Sequence, residues 1–187
     1  MYAASSDKIG QNLTGVLDNI IMITCVFENN SKAHLRHVVI NVIIKRKNKI
    51  LLGKRGTYNG KPIVEFGKWG LIGGYLDRDE TFIECVKREV REETGWEIKN
   101  FHLFFINDTP DRPMEDKQNV YLVYLADAVK QNPEFKSNEE SSDLQWFTLN
   151  KLPSKEQTAF DYADCLNLYK KYLRKKFNTP ILKSHYV

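Results

Sequence analysis

GGYLDRDETFIECVKREVREETGW, residues 73–96, places seven acidic side chains within 24 residues and brackets them with glycine at positions 73, 74 and 95. The whole chain carries a net charge of +4, so this segment runs against its surroundings. From Glu80 to Thr94 the apolar residues Phe82, Ile83, Val86 and Val90 recur at helical spacing. Asp79 is a candidate N-cap, and Gly95 stands where a helix commonly stops in a left-handed turn. Successive helix residues turn by about 100°, which gathers the four apolar side chains on one face. On the same count Glu89, Glu92 and Glu93 fall at about 180°, 120° and 220° from Glu80, along the margin of that face. A solvated, ion-paired helix would keep its charges on the far side, with Glu84, Lys87 and Arg91. Carboxylates at the edge of a core repel one another and resist desolvation, and Arg88 supplies one positive charge against three. Mg²⁺ or Mn²⁺ matches that deficit, because hard divalent cations select carboxylate and carbonyl oxygens. The upstream glycines let backbone carbonyls approach such an ion. On residue type and spacing alone, a divalent-metal site and an ion-paired surface helix both stand.

Outward from this helix the period changes to that of strands. On the amino-terminal side, NIIMITCVF (19–27) reads as a strand, ENNSKAHLR (28–36) as a polar connection, and HVVINVIIKRK (37–47) with ILLGKR (50–55) as a hairpin around a KNK turn. A glycine-rich loop, 56–70, leads into the acidic segment. On the other side FHLFFIN (101–107), NVYLVYLADAV (119–129) and LQWFTL (144–149) read as strands. The polar, proline-containing DTPDRPMEDKQ between the first two is a loop. Ser154 with Gln157 resembles a capping box that opens a closing helix, whose face would be Phe160, Ala163, Leu166, Tyr169 and Leu173. Strands alternating with two helices predict one mixed α/β domain at residues 36–187, preceded by an N-terminal extension at 1–35.

Composition narrows the function classes. A length of 187 residues suits one domain with a proper core, and 42% hydrophobic with 28% charged residues is ordinary for a globular protein. The positive balance fits an anionic small molecule but is too weak and dispersed to argue for nucleic acid. Cys25, Cys85 and Cys165 are far apart and odd in number, which predicts buried free thiols rather than a disulfide framework. No apolar run reaches the roughly 20 residues that span a membrane, and the amino terminus does not read as a secretory signal. A cytoplasmic protein without a membrane partner is expected.

Gly74, Glu80, Arg88, Glu89, Val90, Glu92, Glu93, Gly95 and Trp96 together resemble the Nudix box, G-x5-E-x7-R-E-U-x-E-E-x-G-U with U a bulky apolar residue; all seven fixed positions match. LLGKR, WGLIGG and SNEESSDLQWFTLNKLP are similar to the usual neighbours of that box, so the resemblance covers roughly residues 37–153. It implies the α/β/α sandwich of the Nudix hydrolases, with a mixed sheet, and hydrolysis of a nucleoside diphosphate linked to another moiety. It further implies that Glu89, Glu92 and Glu93, helped by the Gly73 carbonyl, hold Mg²⁺ or Mn²⁺, and that Arg88 and Glu80 orient the carboxylates. Glu140 is preferred as general base over Glu89, Glu139 and Glu115. Arg55, Trp69, Arg112 and Glu115 are the expected substrate contacts, with Tyr58, Phe66 and Tyr75 as further stacking candidates and Lys54 and Lys68 as phosphate partners. ADP-ribose or a nucleotide sugar is the expected substrate, ahead of a nucleoside triphosphate. A non-catalytic nucleotide sensor is the rival class, which the complete set of box carboxylates disfavours. Dimerisation is common among related pyrophosphatases, and the N-terminal segment would then supply an interface strand.

Overall fold

Along residues 38–44 every side chain but Asn41 is apolar, a pattern that only a strand covered on both faces can satisfy. In the computed structural model, which describes residues 23–110, 119–136 and 138–185, this segment is the central strand. The elements in chain order are β1 (Ile23–Val26), β2 (Lys32–Leu35), β3 (His37–Arg46), β4 (Lys49–Arg55), β5 (Thr57–Tyr58), β6 (Lys61–Pro62), β7 (Trp69–Gly70) and β8 (Ile72–Tyr75). Then come α1 (Phe82–Thr94), β9 (Trp96–Asn107), β10 (Asn119–Gln131), β11 (Ser141–Thr148), α2 (Tyr162–Arg174) and β12 (Ile181–Leu182). The main sheet runs β11-β4-β3-β10-β9-β12, with β7 paired to β4 and β8 to β3. β3 and β10 are parallel, as are β9 and β12, and the other neighbours are antiparallel.

Strand alternation divides the interior into two cores. Ile40, Val42 and Ile44 of β3, with Leu122, Tyr124 and Ala126 of β10, pack under Cys85, Val86 and Val90 of α1. Ile43 and the Tyr121, Val123 and Leu125 side chains emerge on the opposite face under Tyr162, Leu166 and Tyr169 of α2. The result is the α/β/α sandwich expected from the sequence. Each fully buried Ile, Leu or Val contributes about 1.5–3 kcal/mol, which is why a chain of this size needs both helices to cover the sheet. No described helix is long and apolar enough to cross a membrane.

Several boundaries differ from expectation. The N-cap of α1 is Thr81, not Asp79: its hydroxyl accepts from Glu84 N while the Glu84 carboxylate accepts from Thr81 N. That reciprocal box leaves Glu80 outside the helix, free to turn toward Arg88. Phe82, assigned to the core face, is 40% exposed because it opens the helix beyond the sheet, and Cys85 fills the face instead. Gly95 does end the helix, at φ 67. The polar stretch 28–36 contains β2, which pairs with β1 in a separate two-stranded sheet. The closing helix begins at Tyr162 rather than near Ser154. Residues 157–159 are engaged by Trp69, whose N–H donates to Gln157 O and whose carbonyl accepts from Ala159 N, so they are not available for a helical turn. Cys85 and Cys165 are buried, whereas Cys25 is half-buried.

Candidate active site

The pairing of β8 with β3 sets Gly73 opposite Asn41 and Gly74 opposite Ile40, which brings the glycine pair beside the middle of α1. Gly73 has φ 145, and a Cβ there would strike the Ile40 carbonyl; a Cβ on Gly74 would strike the Glu89 carboxylate. Gly73 is therefore closed to any side chain by backbone, whereas a side chain at Gly74 would displace the Glu89 carboxylate.

Arg88 organises the acidic residues. Its Nη2 and Nε donate to the two oxygens of Glu80 at 2.6 and 3.1 Å, the fork geometry in which guanidinium and carboxylate fit. Nη1 donates to Glu89 at 2.8 Å and to Glu92 at 3.4 Å, and Nη2 also to the Tyr75 carbonyl at 3.1 Å. The Arg88 hydrogen bonds, joined by one from Asp77 N, hold the Glu80 carboxyl down at about 2.

Glu93 lies on the other side of the glycine pair. It accepts from Gly73 N at 3.0 Å and from Ser141 Oγ at 2.5 Å. Burial pushes its carboxyl up to about 7, with the charges of Glu89 and Glu140 adding, against those two hydrogen bonds. Burial raises Glu89 as well, opposed by Arg88. Glu92 is more open, its side chain 55% exposed. Desolvation that raises both the Glu89 and Glu93 carboxyls marks a local shortage of positive charge. A hard divalent cation fits that donor set. Among the described residues no three His, Cys, Asp or Glu side chains stand at metal-ligating spacing, because Arg88 takes up Glu89 and Glu92 while Gly73 and Ser141 take up Glu93.

A cleft of about 700 Å³ opens over these groups, lined by Glu89, Glu92, Arg88, Gly74, Glu140 and Arg55 among others. It continues into an inner pocket of about 250 Å³ that shares Arg55, Val64, Gly74, Tyr75 and Glu140 with it. The Arg55 guanidinium is pinned at the junction, Nε donating to Val64 O at 2.6 Å and the group lying 4.9 Å from the Phe160 ring. Tyr58 and Tyr75 line the outer cleft.

The acids on the loop before β11 separate. Glu139 accepts from Asn59 N, Gly60 N and Thr57 Oγ1, which ties down the β5–β6 hairpin. Glu140 lines both cavities.

Trp69 lies away from this cleft. It packs edge-on against Phe147 at 5.0 Å under the Lys54 ammonium, and its backbone pairs with residues 157–159, so its face is spent on the core. Phe66 does not line the cleft either, and Lys68 is engaged with Glu65. Arg112 and Glu115 lie outside the described residues. Asn41, Asn119, Phe160 and Tyr162, which line the inner pocket, carried no sequence motif. The one available signal was Asn41, a lone amide within the apolar run VVINVII.

A family model, NUDIX domain, matches residues 34–169. An ADP-ribose pyrophosphatase from Methanocaldococcus jannaschii is 33% identical over 135 residues, covering 72% of this chain and 73% of that protein. The NAD-capped RNA hydrolase NudC of Vibrio parahaemolyticus is 32% identical over 116 residues, covering 61% of this chain but 39% of its own length. In fold, the crystal structure of a NUDIX hydrolase from Nitrosomonas europaea superposes with a TM-score of 0.65 at 21% identity, covering 86% of this chain and 92% of that one. A match over residues 34–169, which takes in the glycine pair, all of α1 and the first part of α2, leaves one conclusion: the chain belongs to the NUDIX domain family and is a Nudix hydrolase.

Proposed function

We propose that this protein hydrolyses the diphosphate of ADP-ribose or a nucleotide sugar, releasing a nucleoside monophosphate. The observation that carries the reading is geometric: Glu89 and Glu92 line, beside Gly74 and Arg88, a cleft large enough for a dinucleotide-sized ligand, and Glu93 stands behind them on Gly73 N. Similarity to the archaeal ADP-ribose pyrophosphatase supports the substrate class. Nudix hydrolases generally need a divalent metal. Here Glu89, Glu92 and Glu93, with the Gly73 carbonyl, would hold Mg²⁺ or Mn²⁺, and Arg88 would yield its hold on Glu89 and Glu92 while keeping Glu80. The bound ion supplies charge neutralisation of the diphosphate and acidification of a water. Arg55, pinned at the junction of the two cavities, orients a phosphate, and Glu140 on the cleft wall takes the proton of the attacking water. Tyr58 and Tyr75 flank the ligand. Trp69 supports this wall from behind rather than stacking on substrate, and Arg112 and Glu115 remain candidate contacts from the loop after β9. The reaction is placed in the cytoplasm. A homodimer through the β1–β2 hairpin, which exposes Val26, Phe27 and Leu35, is part of the same reading; light scattering that finds a monomer at assay concentrations removes it.

The test is turnover of ADP-ribose, nucleotide sugars, NAD-capped RNA and nucleoside triphosphates with Mg²⁺ and then Mn²⁺, identifying each product. AMP with ribose 5-phosphate from ADP-ribose is the expected result. Pyrophosphate release from a triphosphate as the fastest reaction would move the substrate class, and no turnover with either ion would sink the reading.

A further inference from the structure

We infer that Asn41 is a specificity-determining residue, whose side-chain N–H recognises a ring acceptor of the nucleobase held in the inner pocket. The inference rests on the proposed function for the class of substrate, and deepens it by assigning each cavity a part of the molecule.

Strand alternation sends Ile40 and Val42 into the core under α1 and brings Asn41 out on the α2 face. There it stands between Val39 and Ile43, a polar amide 1% exposed among aliphatic neighbours. Its Oδ1 accepts from the Tyr162 hydroxyl at 3.2 Å, which turns the amide nitrogen the other way. Nδ2 has no hydrogen-bond partner among the described residues. A buried donor without an acceptor costs free energy, and a strand of valine and isoleucine has no structural use for one. Asn41 lines the inner pocket, so a ligand seated there can supply the acceptor.

The rest of the pocket suits a flat heteroaromatic ring. Phe160 and Tyr162 stand at 80° with centroids 5.5 Å apart, and Tyr162 is held in turn by Tyr121 at 5.9 Å. Phe160 adopts φ 50, a conformation that a bulky side chain rarely takes, and the turn so made delivers its ring to the wall. Val39 and Val64 add aliphatic lining, and Arg55, Asn119 and Glu140 add polar lining. A volume of about 250 Å³ accepts a base but not a base with its sugar and diphosphate. The aromatic faces of Phe160 and Tyr162 favour a flat ring over a sugar, and Asn41, Asn119, Arg55 and Glu140 are polar groups that a base edge can meet. With the base inward, the shared Gly74 and Arg55 wall carries the chain of phosphates outward over Glu89 and Glu92.

Calorimetry on the metal-free full chain, with AMP and with ribose 5-phosphate as probes, separates base from sugar-phosphate recognition. AMP is expected to bind at least tenfold more tightly, and Asn41→Leu is expected to weaken AMP by roughly tenfold while leaving ribose 5-phosphate unchanged. In turnover with metal, the same variant should raise KM for ADP-ribose by a similar factor with kcat within about twofold, as expected for binding shared by ground and transition states. Tyr162→Phe, which releases the amide from its orienting hydroxyl, should weaken AMP severalfold and serves if Asn41→Leu does not fold. Equal affinity of the wild type for the two probes overturns the proposal, as does an Asn41→Leu protein that keeps the wild-type preference for AMP. Wild-type chain that prefers AMP through Asn41 yet does not cleave ADP-ribose would leave the base site standing and defeat the proposed reaction instead.

Discussion

The two faces of the sheet carry the two halves of the proposed site, and they are built on opposite plans. On the α1 face the groups are close along the chain: Gly73 and Gly74 of β8, Glu80 just before the helix, and Arg88, Glu89, Glu92 and Glu93 of α1, with Arg88 holding Glu80, Glu89 and Glu92 at 2.6 to 3.4 Å. On the α2 face the inner pocket draws Asn41 from β3, Arg55 from β4, Asn119 from β10 and Phe160 with Tyr162 from the start of α2. The first half concentrates charge in a place where burial opposes it. The second sets an aromatic wall, Phe160 and Tyr162, against placed polar groups, Asn41, Asn119, Arg55 and Glu140. The contrast suggests that reaction and substrate choice are separately adjustable in this fold, since substitutions on one face leave the other's hydrogen bonds intact.

The sharpest way to break the contrast is to remove one α1-face carboxylate. Glu93→Gln or Glu89→Gln is expected to lower kcat by about 10³-fold or more, measured in steady state with ADP-ribose, and chelation of divalent ions should abolish turnover as completely. A Glu93→Gln enzyme with near-normal kcat would show that the α1 face is not where the reaction is driven.

Next in size is the backbone. Gly73→Ala puts a Cβ on the Ile40 carbonyl at φ 145 and should cost roughly 3 kcal/mol or more, read by urea unfolding. Gly74→Ala meets the Glu89 carboxylate, a movable side chain, and should cost less stability while lowering activity. Equal stability losses at the two positions would remove the distinction between a structural and a functional glycine.

Stability against pH tests the buried charge. The Glu93 carboxyl is raised in the folded protein to about 7 from an ordinary 4.5, so the folded state holds a proton that the unfolded chain releases. Its favourable contribution is complete below about 4.5 and is lost as pH rises through about 7, a swing on the order of 3 kcal/mol in metal-free protein. Glu80 works in the opposite sense, its contribution fading as pH falls toward 2, well outside that window. Denaturant midpoints from pH 5 to 8 should therefore fall with chelator present and fall less with Mn²⁺ added. A flat profile without metal would mean Glu93 is not desolvated as the packing implies.

The smallest effects separate the adjacent glutamates. Glu140→Gln is expected to lower kcat by about 10²-fold, in keeping with loss of a general base. Glu139→Gln should leave kcat within severalfold and lower the denaturant midpoint slightly through the β5–β6 hairpin it ties down. The reverse order in kcat would exchange their roles.

Much of this was legible before any coordinates. Helical spacing placed α1 and its acidic margin, and the apolar runs placed β3, β4, β9, β10 and β11 to within a few residues at most ends. The N-cap of α1 was missed locally, at Thr81 with Glu84, but the misses at Ser154 and Trp69 share a tertiary cause. Ser154 and Gln157 do bond to each other, at 3.1 Å, but Trp69 claims the following backbone and postpones α2 to Tyr162. Trp69 itself read as a stacking residue until Phe147 and residues 157–159 were seen to occupy it.

What the sequence determined by itself was every interaction between residues close along the chain: a helix, its stop at Gly95, and carboxylates gathered with Arg88 at fixed angular spacing. Tertiary structure alone decided what lies at the end of a long loop closure. It fixed which strand faces which helix, which of Glu139 and Glu140 meets the cleft, and that residues 41, 55, 119, 160 and 162 enclose one pocket. Local geometry follows from 3.6 residues per turn and two per strand pleat, whereas contacts between distant residues depend on register and packing that no short window contains.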